Sequence, residues 1–188
     1  MIRFQYLVGC RPEEVTIIRP CDIFDRENEV WEYVPNSHKT EHHDRQRRVF
    51  VGKQAQCILE PWLDRCDSAY CFSPKEARNT FDAVRRMRRL TPHTPTSRKR
   101  KRKRTPRRKP GEHYTTGSYG RAVRNACKKA GIDTWSPNQL RHARGTVIRK
   151  GYGLEASQVV LGHSKADVTQ IYAERDFDLA RNIMREIG

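Results

Sequence analysis

Four residues that sit awkwardly for an ordinary fold set the chemistry open to this chain. In "LGHSKADVTQIYAERD", Tyr172 follows Ile171 beside an apolar face, and His163 stands nine positions earlier, where a short apolar helix ends at Gly162. Arg141 borders an apolar stripe, and Arg11 follows a Gly-Cys turn between two apolar helices. Singly, each has a bland place: a packed aromatic, a helix-end histidine, two surface or ion-paired arginines. Together they suit a phosphodiester. Two arginines clamp a phosphate through bidentate hydrogen bonds and stay charged. A histidine exchanges a proton or bonds a non-bridging oxygen. A tyrosine hydroxyl attacks phosphorus once the site lowers its pKa of about 10 or removes its proton. Two nearby guanidinium groups favour the phenolate and stabilise the added charge. That chemistry requires no metal or other cofactor, in keeping with the lack of a carboxylate cluster or zinc-type Cys/His spacing.

The elements that must hold these residues are legible in part. "IRFQYLVG" reads as the last turns of a buried helix, and "RPEEVTIIRP" opens another with Pro12 in its first turn. "CDIF", "VWEYV" and "RVFVG" read as strands, the first two joined by the polar turn "DREN" and the last two by the polar hairpin loop "SHKTEHHDRQR". "KQAQCILEPWLDR" carries Ala55, Ile58, Leu59 and Trp62 at helical spacing. "SYGRAVRNACKKAG" has Ala122, Val123, Ala126, Cys127 and Ala130 on one face and Gly131 as C-cap. "SPNQLRHARGTVIRKG" starts with Ser136 and Pro137 and carries a stripe of Leu140, Ala143, Val147 and Ile148. "LEASQVVLG" is a further short helix, and Ser164 and Asp167 have capping-box spacing. The expected fold is α+β and mostly α, with a small antiparallel sheet near the N-terminus.

The chain has 188 residues and a formal charge of +16. The run "RKRKRKRTPRRKP" holds Arg98, Lys99, Arg100, Lys101, Arg102, Lys103, Arg104, Arg107, Arg108 and Lys109; without those ten the chain is still at +6. This balance favours a nucleic-acid partner, with the run itself a candidate DNA-binding segment. Its Pro, Thr and like charges predict a disordered insertion over residues 91–114. Cys10, Cys57 and Cys127 read as small buried hydrophobes, and the thiols as reduced. No apolar stretch approaches the roughly 20 residues of a membrane span.

Four segments together resemble the boxes of the tyrosine recombinase, or phage integrase, family, and the likeness covers all but the basic insertion. "YLVGCRPEEVTIIRPCDI" is similar to the first arginine box, "SHKTEHHDRQRRVFV" to the β-hairpin, "SPNQLRHARGT" to the H-x-x-R box and "LGHSKADVTQIYAE" to the His–Tyr box, in the right order. The resemblance implies that residues 1–188 are the catalytic domain and that Tyr172 attacks a scissile DNA phosphate. A 3′-phosphotyrosine forms and a 5′-hydroxyl is freed, whose counterpart from a partner strand reseals the backbone. It implies Arg11 and Arg141 as the phosphate clamp, Lys39 as general acid and His163 as an aid to proton transfer. It further implies double-stranded DNA and a homo-tetramer on paired sites as partners, and a cytoplasmic, nucleoid-associated protein of a bacterium, phage or mobile element.

Three points qualify that expectation. Asn138 stands where the family usually has His or Lys, so it can bond a phosphate oxygen but not act as acid or base; His142 is expected to pack beside it. The family's N-terminal DNA-clamp domain is expected to be absent here, which leaves a non-catalytic DNA-binding remnant as the alternative. A basic RNA-binding protein of other ancestry would explain the charge but not the ordered boxes. The last helix, Asp178 to Ile187, is expected to dock on a neighbouring protomer if its face of Ala180, Ile183, Met184 and Ile187 stays uncovered.

Overall fold

The computed structural model describes residues 1–36, 47–92, 94–99, 111–162 and 177–188. It is mostly helical with one small antiparallel sheet, as the sequence predicts. Helix α1 (Ile2–Val8) buries Phe4 and Val8 and stops at Gly9, whose φ of 67° lies in the left-handed region. Glycine takes that conformation at little cost. A Cβ there would also stand 2.7 Å from Leu161 Cδ2. The chain reverses at this point, and Pro12 opens helix α2 (Pro12–Thr16).

The sheet has strands β1 (Ile23–Phe24), β2 (Trp31–Tyr33) and β3 (Val49–Val51) in that order. Ile23 pairs with Tyr33, and Trp31, Glu32 and Tyr33 pair with Val51, Phe50 and Val49. Side chains alternate across a strand. Trp31, Tyr33, Val49 and Val51 accordingly join the main core with Phe4, Val8, Val15 and Leu59. Phe50 points into a second cluster with Ile148, Val160, Ile183 and Met184. Both faces are thus covered. The first strand is shorter than "CDIF" suggests. Pro20–Asp22 form a 3₁₀ turn, closed by Arg19 donating to both carboxylate oxygens of Asp22 at 2.8 and 2.9 Å, and Cys21 is exposed.

Helix α3 (Lys53–Leu59) buries Ala55 and Leu59, one turn apart. Cys57 lies off that face and is exposed, against expectation, while Cys71 is buried with Cys10 and Cys127. Helix α4 (Pro74–Met87) is capped by Ser73 and buries none of its residues. A turn of helix, α5 (Pro95–Lys99), falls inside the segment expected to be disordered. At the far edge of that segment Tyr114 packs on the main core and the His113 ring lies 4.3 Å from that of Tyr70. Its margins therefore carry order that its composition does not announce.

Helix α6 (Thr116–Ala130) has a reciprocal Thr115–Ser118 cap and ends at Gly131 with φ 68°. It buries Tyr119, Gly120, Val123 and Cys127, while Ala122, Ala126 and Ala130 face outward. Helix α7 (Pro137–Leu161) joins the two helices expected there across a kink at Gly153, where φ is 88°. Its inward face is Arg141, Arg144, Gly145 and Ile148; of the expected apolar stripe Ile148 is buried and Leu140 half-buried, whereas Ala143 and Val147 are exposed. Two arginines with backbone partners occupy the positions that apolar residues would ordinarily fill.

Helix α8 (Phe177–Ile187) turns back onto its own chain. Ile183 and Met184 are buried in the second cluster. Gly188 O accepts from Gln54 N at 2.6 Å, Ile187 O accepts from Arg144 Nη2 at 3.0 Å, and Arg181 pairs with Glu32. Two residues of the apolar face expected to seek a neighbouring protomer if uncovered, Ile183 and Met184, are thus covered within the monomer. The side chain of Ala180 lies outside the described residues.

Candidate active site

A buried glutamine fixes the ground on which the site stands. Gln5 is 0% exposed and sits among apolar residues of α1. Its Nε2 donates to Cys10 O at 3.3 Å and to Pro137 O at 3.0 Å, and its Oε1 accepts from Tyr119 OH at 2.8 Å. One side chain thus ties the turn before Arg11, the start of α7 and helix α6 together. Buried amides require such partners, and a polar residue inside "IRFQYLVG" is the signal from which this tie could have been read.

Arg11 is the N-cap of α2 in an extended conformation. Its backbone N–H donates to Glu14 Oε2 at 2.7 Å, and its Nη1 donates to Glu14 Oε1 at 3.0 Å. Arg47 Nε donates to that same Oε1 at 3.3 Å. Arg141 reaches across from α7, with Nη1 on Gly9 O at 2.9 Å and Nη2 on Leu161 O at 2.6 Å. Arg141 thus joins the Arg11 turn to the end of α7 at Leu161, two residues before His163 in the sequence. Arg11 and Arg47 thereby share one carboxylate, and Arg141 lies near enough for its charge to act on it.

The charges respond as that arrangement requires. Burial alone would raise the Glu14 pKa, but Arg47, the Arg11 backbone N–H and the charges of Arg11 and Arg141 outweigh it and the net shift is downward. Burial, and after it repulsion from Arg47 and Arg11, brings the Arg141 guanidinium down to about 10. It stays cationic at neutral pH. The Cys10 thiol, raised first by burial and then by Glu14, is a neutral packing group.

Asn138 and His142 lie one turn apart on the exposed side of α7, with Asn138 Nδ2 and His142 Nε2 2.9 Å apart. His142 is exposed rather than packed. The structure therefore brings Arg11 and Arg141 to one turn, while Asn138 stands on the exposed side of α7, paired with His142. Lys39, His163 and Tyr172 lie outside the described residues, as do Arg100, Lys101, Arg102, Lys103, Arg104, Arg107, Arg108 and Lys109. Lys99 is exposed at the end of α5. The sequence reading missed two buried residues, Glu14 and Arg47. Arg47 closes the segment read as a polar loop, and its burial follows from its partner Glu14, 33 residues away. Among the described residues no His, Cys, Asp and Glu cluster could hold a metal ion, and no helix is long and apolar enough to cross a membrane.

Comparison with known proteins places the chain in a lineage. A stretch of 64 residues is 39% identical to the tyrosine recombinase XerD of Pseudomonas putida, covering 33% of this chain and 22% of that protein. A stretch of 63 residues is 38% identical to the tyrosine recombinase XerC of Corynebacterium glutamicum, covering 33% and 20%. The fold is similar to that of the XerA recombinase, with a TM-score of 0.51 at 22% identity over 94% of this chain and 52% of that one. It is equally similar to the XerH site-specific recombinase bound to difH substrate, with a TM-score of 0.51 at 19% identity over 97% and 44%. The chain thus spans about half the length of these solved structures, and its matches span about a fifth of the curated relatives. Residues 1–178 match the phage integrase family, nearly the whole sequence, and the chain belongs to that family.

Proposed function

We propose that this chain is the strand-cleaving and rejoining part of a site-specific DNA recombinase. The observation that carries the reading is the meeting of Arg11 and Arg141 at one turn, with more buried positive charge than Glu14 neutralises. A buried excess of cations is costly unless an anion completes it. Guanidinium forks match the oxygens of a phosphodiester. Such preorganised donors stabilise the charge that builds on phosphorus during attack.

In this mechanism the Tyr172 phenolic oxygen attacks the scissile phosphorus. The bond from phosphorus to the 5′-oxygen breaks as the bond to tyrosine forms, which gives a 3′-phosphotyrosine. The leaving 5′-oxygen takes a proton from Lys39 and departs as a hydroxyl. Arg11 and Arg141 hold the non-bridging oxygens, and His163 accepts or shares the tyrosine proton. Asn138 bonds the phosphate without exchanging a proton. Attack by a 5′-hydroxyl reverses the step and restores the tyrosine, so the phosphodiester energy is conserved without a nucleotide cofactor. Double-stranded DNA is the substrate, and strand exchange between two sites calls for several copies of the chain on paired DNA. The basic run from Arg98 to Lys109 adds non-specific phosphate contacts.

The test is capture of the covalent intermediate on a nicked duplex, where the freed fragment diffuses away and religation fails. Wild-type protein is expected to form the adduct, and Tyr172→Phe to form none.

A further inference from the structure

Arg47 has no part in the mechanism above, yet it lies at the centre of the site. It is 6% exposed, close to the 5% of Arg141. Its Nε shares Glu14 Oε1 with Arg11 Nη1, at 3.3 and 3.0 Å. Its guanidinium packs against Gly162, where a Cβ would overlap Nη1 and stand 3.1 Å from Cζ. Glycine at 162 is what allows that approach. Arg47 therefore touches both the Arg11 turn and the end of α7, the same two places that Arg141 joins.

Its remaining edge is unsatisfied. Arg47 Nη2 is buried with no hydrogen-bond partner among the described residues. The nearby acceptors are already engaged. Glu14 Oε2 takes the Arg11 backbone N–H, and the carbonyls of Gly9 and Leu161 take Arg141. A charged donor buried without an acceptor is strongly disfavoured. An acceptor beyond this set would complete that edge, and the excess positive charge around Glu14 favours an anion. Arg47 is no more buried than Arg141, so an anion admitted to Arg141 is admitted to Arg47.

We propose that Arg47 is a third phosphate-binding guanidinium of the site, with its Nη2 edge donating to a non-bridging oxygen of the phosphate that Arg11 and Arg141 hold. The inference rests on the reading of Arg11 and Arg141 as a phosphate clamp. It also explains why a segment read as polar loop delivers a buried cation: the hairpin's exit closes one wall of the anion site.

Inorganic phosphate is the probe, exchanged for chloride at constant ionic strength, with thermal unfolding of the full chain as the readout. Phosphate is expected to raise the Tm of the wild type. In Arg47→Met the rise disappears or needs about tenfold more phosphate, and Arg47→Lys keeps part of it. An Arg47→Met variant that responds to phosphate like the wild type overturns the proposal. So does a wild type without any response; if that protein still forms the adduct on nicked DNA, the clamp of Arg11 and Arg141 survives and only the role of Arg47 falls. Should Arg47→Met fail to fold, phosphate titration of wild-type protein carrying ¹⁵N-arginine decides the matter, with the Arg47 Nε–H signal assigned from Arg47→Lys. Movement of that signal supports the proposal and a stationary signal overturns it.

Discussion

Glu14 holds its site by a balance of charges, and the balance depends on pH. Its carboxylate partners Arg11 and Arg47 at 3.0 and 3.3 Å while 1% exposed. The folded protein lowers its pKa, so the stability it contributes is complete above the usual carboxylate range and is lost as pH falls through the lowered value. Glu14→Gln is expected to cost about 3 kcal/mol at pH 7, because it leaves buried cations unpaired. Urea unfolding at pH 7 and at pH 3 should show the gap between variant and wild type narrowing at low pH; a constant gap would refute the assignment. Asn138 carries a second prediction. Asn138→His places a titratable ring beside the phosphate, with an ordinary pKa of about 6.5. Its cleavage rate is expected to acquire a further pH-dependent limb beyond any that His163 gives the natural protein, and superimposable pH–rate profiles would count against the role given to Asn138. At this scale the sequence revealed the residues whose chemistry is unusual for their neighbours, Arg11 and Arg141 among them. It concealed Glu14 and Arg47, because an acid in a first helical turn and an arginine in a basic loop each have an ordinary local explanation. Only the fold shows that they meet.

Helices and strands were legible where local rules decide them. Pro12 and Pro137 in first turns, Gly131 as a cap and the alternation of β3 all recur in the structure. Which face of a helix turns inward was less legible. In α7 Arg141, Arg144 and Gly145 are buried beside the expected Ile148, since Leu161 fills the space beside Gly145 and the arginines find carbonyls at Gly9, Leu161 and Ile187. Hydrophobicity alone chose the neighbouring stripe. Whether the last helix is covered was not legible for a related reason: its partners Phe50, Ile148 and Val160 come from distant segments. Met184 is 0% exposed among them. Met184→Ala is expected to destabilise the isolated monomer by about 2–4 kcal/mol in urea unfolding at low protein concentration. A change under about 0.5 kcal/mol, as at a surface position, would mean that α8 does not pack in cis in solution.

Across the whole molecule, charge organises the account. The ten basic residues between Arg98 and Lys109 carry most of the +16, and α4 and α5 lead to them without burying any of the residues of α4. Each phosphate neutralised releases counterions and steepens the fall of affinity with salt. Deletion of residues 98–110 should therefore flatten a plot of log affinity for duplex DNA against log salt concentration, and an unchanged slope would remove the run from the DNA contact. The claim that joins residue, element and charge is that the two arginines assembled at the α1–α2 turn exist to hold a phosphate for Tyr172.

That claim is tested most directly by incubating the protein with nicked duplexes drawn from its genomic neighbourhood and resolving the products on a denaturing gel. The account predicts a covalent protein–DNA species that is absent with Tyr172→Phe and strongly reduced with Arg141→Ala. Salt-sensitive DNA binding with no covalent species would contradict it and leave a non-catalytic DNA-binding relative, while an adduct that persists in Tyr172→Phe would place the nucleophile elsewhere.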